Sequence, residues 1–389
     1  MKVALIPSSF HPAVGGVEEF TAKLAEQLVH NGDQVEVWTS RSPGDELQGR
    51  EIVDGIVVRR FDFAMPRASV AALGRTAVSA TATTRALRRA ARDFTPDVLS
   101  VQCFSANGVY ATGLSRITGI PLVVSLHGET LMDDRDIYNH SQALRAGLRL
   151  GLKQASWVTS CSQFALDDAV RRFGCPPSRS SVIFNGVDLE EGRACEEVPL
   201  PFDVFALALG RIVPKKGFDL LVEAVDIMAL PAGHGIVIGG QGPSLHELEE
   251  LVARRGLQDK VHFTGRLTRP QVAYVMQQAR CLVMPSRLEP FGIVVLEAWR
   301  AGRPVVATRW GGPPEFIKDG RDGRLVSPEN TEELAATVKE LLFDKAVADA
   351  LGSAGAVRIQ EFSWDRVATQ HRDKLVGALP SGAISSGTT

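Results

Sequence analysis

From its first residues the chain alternates short apolar runs with longer stretches whose apolar residues return every three or four positions. The runs "KVALIP", "QVEVWTS", "IVVRRF", "DVLSVQ", "IPLVVSLHG", "SWVTSCS" and "SSVIFNG" predict β-strands in the first half. In the second half "DVFALALGR", "GIVIGG", "KVHFTG", "CLVMPS", "PVVATRWGG" and "DGRLVSP" do the same. Between them the pattern predicts helices, among them residues 16–31, 218–228, 244–255 and 292–301. Continuously apolar strands, each followed by a helix, imply parallel sheets covered on both faces.

The alternation pauses once, at "LEEGRACEEVPLPFD" (189–203), which is acidic, contains proline and lacks periodicity. Such a stretch reads as an interdomain linker. The expected architecture is therefore α/β, with two doubly wound domains over residues 1–188 and 204–364. A last helix over 365–379 is free to pack back on the first domain, and the small, polar tail 380–389 is expected to be disordered. Ligands of doubly wound sheets bind at the carboxyl ends of the strands, so the site is expected in the cleft between the domains.

Composition narrows the function. The 389 residues are 44% apolar and 23% charged with a formal net charge of -2, which is globular and long enough for two domains. That balance argues against a nucleic-acid partner, which usually brings a basic excess. Five scattered cysteines without a CxxC pair read as free thiols in a reducing compartment, and support neither a zinc site nor a disulfide framework. The opening "MKVALIPSSF" is too short for a signal h-region, and no stretch approaches the roughly 18 apolar residues of a membrane span. A cytoplasmic location is expected.

Several motifs could carry chemistry. "HPAVGGVEEF" puts Gly15 and Gly16 between the first strand and a helix, where backbone N–H groups can approach an anion. A plain tight turn would use the same glycines. "GGQGP" (239–243) ends a second-domain strand in a similar way but lacks the third glycine of a dinucleotide fingerprint. In "GRIVPKKGFDLLVEA", Arg211 leaves a strand end and Lys216 opens a helix beside Gly217. Two such cations can converge on one diphosphate, whereas Lys215 reads as an ordinary surface charge. His127 follows a buried strand and precedes a glycine, although a lone histidine is often structural. The "DRD" at 134–136 lies in a polar connection and is rejected as a metal site, and Cys161 has no positioned base and reads as packing. Residues 67–92 carry Arg67, Arg75, Arg85, Arg88, Arg89 and Arg92 and no acid. That suits a helix with a basic face, either simply solvated or resting on an anionic membrane.

"PSRLEPFGIVVLEA" (285–298) places Glu289 and Glu297 in an apolar stretch, where a buried, unpaired carboxylate would cost several kcal/mol. Pro290 suits a first helical turn, so a helix is expected to begin beside it, with Glu297 about 9 Å further along the axis. Glu289 could alternatively cap that helix.

Taken together, these segments resemble the family 4 retaining glycosyltransferases of the GT-B fold, in which two Rossmann-like domains face each other across a cleft. The resemblance runs from "HPAVGGVEEF" through "FNGVD" (184–188) to "PSRLEPFGIVVLEAWRAGRPVVATRWGGPPEFIKDGRDGRLVSP". Glu289 and Glu297 match the family's E-x7-E signature. The resemblance implies a nucleotide diphosphate sugar donor and a hydroxyl acceptor, with no metal and no further cofactor. It implies catalytic roles for Arg211, Lys216, His127 and Glu289. It implies donor binding by Gly15, Gly16, Gly210, Arg211, Lys216, Gly240, Arg266, Phe291, Gly292, Ile293 and Glu297. Glu289 would then accept from hydroxyls of the transferred hexose and Glu297 from the ribose. UDP-sugars are expected before GDP-sugars. A sugar-nucleotide epimerase of the same fold and a non-catalytic donor-binding subunit are the alternatives, and a related phosphorylase would need a lysine-bound pyridoxal phosphate.

Overall fold

A computed structural model of the protein describes residues 1–13, 15–41, 49–65, 70–133, 136–190 and 194–380, with side chains in the helix that starts at Val70 described from residue 79 onward. The chain forms two compact units. One is Met1–Phe184 together with the C-terminal residues from Trp364; the other is Asn185–Ser363.

The first unit holds an eight-stranded sheet: β1 (Lys2–Pro7), β2 (Gln34–Ser40), β3 (Arg50–Val53), β4 (Ile56–Phe61), β5 (Val98–Gln102), β6 (Leu122–Leu126), β7 (Trp157–Ser160) and β8 (Ser180–Val182). The spatial order is β3-β4-β2-β1-β5-β6-β7-β8. Strands β5 and β6 are buried at every position, as expected for strands covered on both faces. One element departs from the parallel expectation. Strands β3 and β4 form an antiparallel hairpin, with Val53 opposite Ile56. Its two-residue turn, Asp54 and Gly55, takes positive φ at both positions (47° and 80°). "DG" between β-rich runs is a hairpin signal.

The second unit holds β9 (Val204–Leu209), β10 (His234–Gly239), β11 (Val261–Gly265), β12 (Cys281–Met284), β13 (Val305–Thr308) and β14 (Arg324–Val326). Their order, β11-β10-β9-β12-β13-β14, is that of a doubly wound dinucleotide-binding sheet. The chain winds outward from β9 to β11, then restarts on the other side at β12. The topological switch point therefore lies between β9 and β12. In the first unit it lies between β1 and β5, by the same reasoning.

One boundary differs from the sequence reading, and the final helix takes the place that reading left open to it. The second unit begins at Asn185, so the described residues of 189–203, expected as an interdomain linker, fall within it. Val187 N donates to Phe362 O at 2.9 Å, and Gln271 Nε2 to Glu196 Oε1 at 2.8 Å. Glu196 sits at the N-terminus of the helix Arg269–Gln278, where an acid is electrostatically favoured. Glu196, which read as linker polarity, is a helix-end ligand. The final helix, Trp364–Gly377, belongs to the first unit. Trp364, Val367, Ala368 and Leu375 join the core of Phe20, Leu24 and Leu28, and Arg372 forks onto the buried Asp33 at 2.7 and 3.1 Å. Residues 381–389 of the tail lie outside the described residues.

Candidate functional site

In the second unit the predicted residues gather at the carboxyl end of the sheet, around the switch point. Beyond β9, Pro214–Lys216 makes one 3-10 turn, and Gly217 (φ 68°) leads into the helix Phe218–Met228. A Cβ at residue 217 would lie 2.0 Å from the carbonyl oxygen of Pro285, so glycine is what lets the β9 and β12 loops run backbone against backbone. The backbone N–H groups of Arg287 and Leu288 donate to Lys215 O at 2.9 and 3.4 Å. The Arg287 guanidinium forks onto Asp219 at 2.7 and 2.6 Å and also reaches Pro214 O at 2.9 Å. Burial is the largest single influence on Asp219 and raises its pKa. The Arg287 fork with its charge, aided by two backbone N–H groups, outweighs it and leaves the carboxyl below its ordinary range.

This stapled pair of loops positions the two strongest candidates. Lys216 Nζ donates to Glu289 Oε2 at 2.6 Å, and Ser286 Oγ donates to the same oxygen at 3.2 Å. Glu289 is buried, at 5% exposure, and Lys216 is half-buried. The burial that looked costly in the sequence is thus offset by an ammonium and a hydroxyl. On its other side Glu289 forms an isolated parallel bridge with Gly311, and Gly312 N donates to Glu289 O at 2.9 Å. Gly311 has φ 99°, and a Cβ there would stand 2.1 Å from Glu289 O.

The helix after β12 starts within a residue of the 292–301 that periodicity predicts, and later than a start beside Pro290. It spans Ile293–Arg300, with Gly292 (φ 96°) as its N-cap, so Pro290 precedes it instead of opening it. Pro290, Phe291 and Gly292 form the approach, and Phe291 is buried, stacked on Phe316 at 4.6 Å. Glu297 therefore lies four residues past the first helical residue, about 6 Å along the axis and not 9 Å. It is half-buried, not buried, because the helix turns Val295, Leu296, Ala298 and Trp299 inward. Glu289 does not cap this helix; its carboxylate turns to Lys216 and Ser286. Arg211 and Arg266 are exposed, past the ends of β9 and β11. Gly210 N donates to Gly239 O at 3.1 Å, and Gly240 N to Gly265 O at 2.8 Å, which ties together the loops beyond β9, β10 and β11.

In the first unit, Gly15 precedes the helix Gly16–His30 in extended conformation. Glu18 lies in the first turn and accepts from Ser9 Oγ, so a carboxylate already occupies this helix N-terminus. His127 follows β6. Its Nε2 lies 3.1 Å from Gln102 Oε1, and its ring packs edge-on against Phe20 at 4.5 Å. Burial brings its pKa down to about 4, so the ring is neutral near pH 7. Glu129 Oε2 accepts from His127 N at 2.7 Å, while Oε1 accepts from Phe104 N at 2.6 Å. Burial pushes the Glu129 carboxyl up to about 7 against those backbone bonds. His371, from the final helix, also packs edge-on against Phe20, at 5.3 Å, with Nε2 buried and unpartnered among the described residues, and burial lowers its pKa to about 3.

Sequence reasoning missed Ser286, Arg287, Asp219, Gln102 and Glu129. Glu129, adjacent to "HG", and Ser286, three residues before Glu289, stood within motifs already singled out; Arg287, Asp219 and Gln102 act through partners distant in sequence. The five cysteines are free thiols, and Cys161 is buried in the core. Arg85, Arg88, Arg89 and Arg92 are exposed on the helix Val70–Phe94, opposite the buried Thr83, Leu87, Ala90 and Ala91. Arg67 and the side chain of Arg75 lie outside the described residues, as do Asp134 and Arg135 of "DRD". Among the described residues no helix is long and apolar enough to cross a membrane, and no group of three or more His, Cys, Asp or Glu is placed to hold a metal ion.

Residues 201–358 match the family Glycosyl transferases group 1, and residues 14–191 match Glycosyltransferase Family 4. A D-inositol 3-phosphate glycosyltransferase of Streptomyces bingchenggensis is 28% identical over 94% of this chain and 85% of its own length. An alpha-D-kanosaminyltransferase of Streptomyces kanamyceticus is 30% identical over 64% of this chain and 69% of its own. Among solved structures, sucrose-phosphate synthase of Thermosynechococcus elongatus superposes with a TM-score of 0.79 at 22% identity, covering 96% of this chain and 97% of that one. Anabaena HepE, solved with UDP and glucose, gives 0.75 at 22% identity, covering 97% and 99%. With both sheets doubly wound and matches across both units, the chain belongs to glycosyltransferase family 4 and is a transferase of the GT-B fold.

Proposed function

We propose that this glycosyltransferase is a retaining, metal-independent hexosyltransferase. It moves a hexose of glucose, N-acetylglucosamine or mannose type from a nucleotide diphosphate sugar to a hydroxyl of a glycan, glycolipid or small molecule. A UDP-sugar is favoured over a GDP-sugar as donor. The observation that carries the reading is the Lys216–Glu289 pair, held at the switch point between β9 and β12 by two loops stapled together. Doubly wound sheets bind nucleotides at that position.

In the mechanism, Lys216 and Arg211 offset the charge that builds on the departing diphosphate, the role a metal ion has elsewhere. Backbone N–H groups at the start of the helix Ile293–Arg300 add partial positive charge. The acceptor oxygen bonds to the anomeric carbon on the face that the phosphate leaves. The carbon–phosphate oxygen bond breaks, and the departing phosphate takes the hydroxyl proton. This front-face route retains configuration without a carboxylate nucleophile. Glu289 accepts from the hexose, Glu297 from the ribose, and the neutral His127 meets a sugar hydroxyl. Support for a UDP donor comes from HepE, whose structure holds UDP and glucose. Support for a small hydroxylic acceptor comes from the relatives named for D-inositol 3-phosphate.

The test is a thermal-shift screen of UDP, GDP and ADP with candidate sugars, followed by transfer assays. A ligand at 100 times its Kd stabilises the fold by roughly 2.7 kcal/mol. Transfer that survives EDTA and gives a retained anomer supports the reading. An inverted anomer, a free epimerised donor, or activity restored only by magnesium or manganese overturns it.

A further inference from the structure

His127 is held from two sides by one short segment of the neighbouring strand. Gln102, the last residue of β5, is fully buried and places Oε1 3.1 Å from His127 Nε2. Its amide nitrogen is already committed, donating to Ser100 Oγ at 2.9 Å. Two residues on, Phe104 N donates to Glu129 Oε1, and the other oxygen of that carboxylate accepts from His127 N. Cys103 lies between them with φ 60°, an uncommon conformation for a residue with a side chain. One segment thus reaches the ring of His127 directly through Gln102, and its backbone N–H indirectly through Glu129. Phe20 closes a third side.

The geometry points to Gln102 as a positioning residue that fixes His127 in its Nε2–H tautomer, so that Nδ1 presents a lone pair to a sugar hydroxyl. With the Gln102 amide oriented as it stands, oxygen towards the ring and nitrogen towards Ser100, the imidazole nitrogen facing it carries the proton, because an amide oxygen accepts and cannot donate. A neutral imidazole has one N–H, which leaves the other nitrogen an acceptor. Nδ1 forms no hydrogen bond to a described residue, and His127 as a residue is half-buried. In this arrangement His127 selects for a hydroxyl that donates, and it cannot serve as a donor to the leaving group. The titratable groups shown beside His127 are Glu129, which accepts from its backbone N–H, and His371 from the final helix, which packs on the same Phe20. The sugar-hydroxyl role rests on the glycosyltransfer reading above; the tautomer assignment does not.

The experiment uses the full chain with 15N-labelled histidine. Long-range proton–nitrogen spectra distinguish the Nε2–H from the Nδ1–H tautomer without any assay of activity. Wild type is expected to show His127 as Nε2–H; Nδ1–H in wild type overturns the assignment. Gln102→Leu should release the ring into a mixture of tautomers and lower kcat by roughly 10- to 100-fold, the scale of a misplaced group. Gln102→Glu keeps an acceptor oxygen in place, so it should preserve the proton on Nε2 and raise the imidazole pKa; if Gln102→Leu proves unstable, the wild-type tautomer alone decides the assignment. A Gln102→Leu protein that folds with an unchanged tautomer and unchanged kcat refutes the positioning role. If wild type shows Nε2–H but transfers no sugar from any nucleotide donor, the glycosyltransfer reading fails while the tautomer assignment stands.

Discussion

The ammonium of Lys216 and the carboxylate of Glu289 meet at 2.6 Å across 73 residues of sequence. The carboxylate is buried and shares its oxygen with Ser286, so the ammonium is aimed before any ligand arrives. Lys216→Ala is expected to lower kcat/KM by about 2–4 kcal/mol of transition-state stabilisation. Lys215→Ala should be nearly silent, since Lys215 holds the β12 loop through its carbonyl oxygen, which any residue supplies. Steady-state kinetics on the two variants settle the order, and a reversed order means that Lys215 carries the charge.

Glu289 and Glu297 are expected to separate by assay. Glu297, half-buried on the helix Ile293–Arg300, is assigned the ribose, so Glu297→Ala should weaken free nucleotide binding by about 1.5–3 kcal/mol. Glu289→Ala should leave nucleotide affinity nearly unchanged while lowering turnover and blurring discrimination between hexose epimers. Calorimetric titration with UDP beside competition assays of donor epimers reads both. Equal losses of nucleotide affinity in the two variants would refute the division of roles.

Gly311 is expected to tolerate no side chain. Alanine there combines a left-handed φ of 99° with a Cβ 2.1 Å from Glu289 O. The left-handed backbone alone costs about 1–3 kcal/mol, and the contact forces the Glu289 loop to shift. Gly311→Ala should therefore lower Tm and reduce kcat together. A variant with normal Tm and normal transfer would show that the Glu289–Gly311 bridge is dispensable.

Acid should destabilise the first unit. His127 and His371 have folded-state pKa values of about 4 and about 3, below the ordinary 6.5. The unfolded chain therefore binds more protons than the folded one below pH 6.5, and their contribution to stability, complete above that value, is lost as pH falls towards 4. Glu129 works in the opposite sense. Its pKa is raised from 4.5 to about 7, so its contribution is complete below 4.5 and is lost as pH rises through 7. Two histidines against one glutamate leave a net loss of stability on acidification from pH 6.5. Urea unfolding between pH 4.5 and 7.5 should show this slope, and His371→Leu should flatten it by about one proton. An unchanged slope would exclude His371 as a source.

The exposed arginines of the helix Val70–Phe94 offer a test of where the acceptor resides. If it is lipid-linked, Arg85, Arg88 and Arg89 should draw the protein to anionic vesicles, at about 1 kcal/mol per charge near the surface. Flotation with such vesicles at low salt, reduced when the three become glutamine, is the expected result. No flotation at low salt would point to an acceptor in solution.

Sequence periodicity was enough to determine the two doubly wound sheets, because strands covered on both faces must be apolar throughout and the helices between them amphipathic. It also exposed Lys216, Glu289 and Gly217, whose residue types are unusual where they stand. Periodicity placed this helix at 292–301, within a residue of its observed start, whereas the proline argument started it too early, because Pro290 suits a first turn as well as the bend it makes. It took 189–203 as a linker, because nothing local marks Glu196 as the partner of Gln271. What only the tertiary structure decided is which groups meet. Arg287 with Asp219, Lys216 with Glu289 and Gln102 with His127 are separated by 68, 73 and 25 residues, and sheet order alone brings them together. Hydrogen bonding has a reach of about 3 Å in space and none along the chain, so the pairs that aim each candidate side chain leave no periodic trace in the sequence.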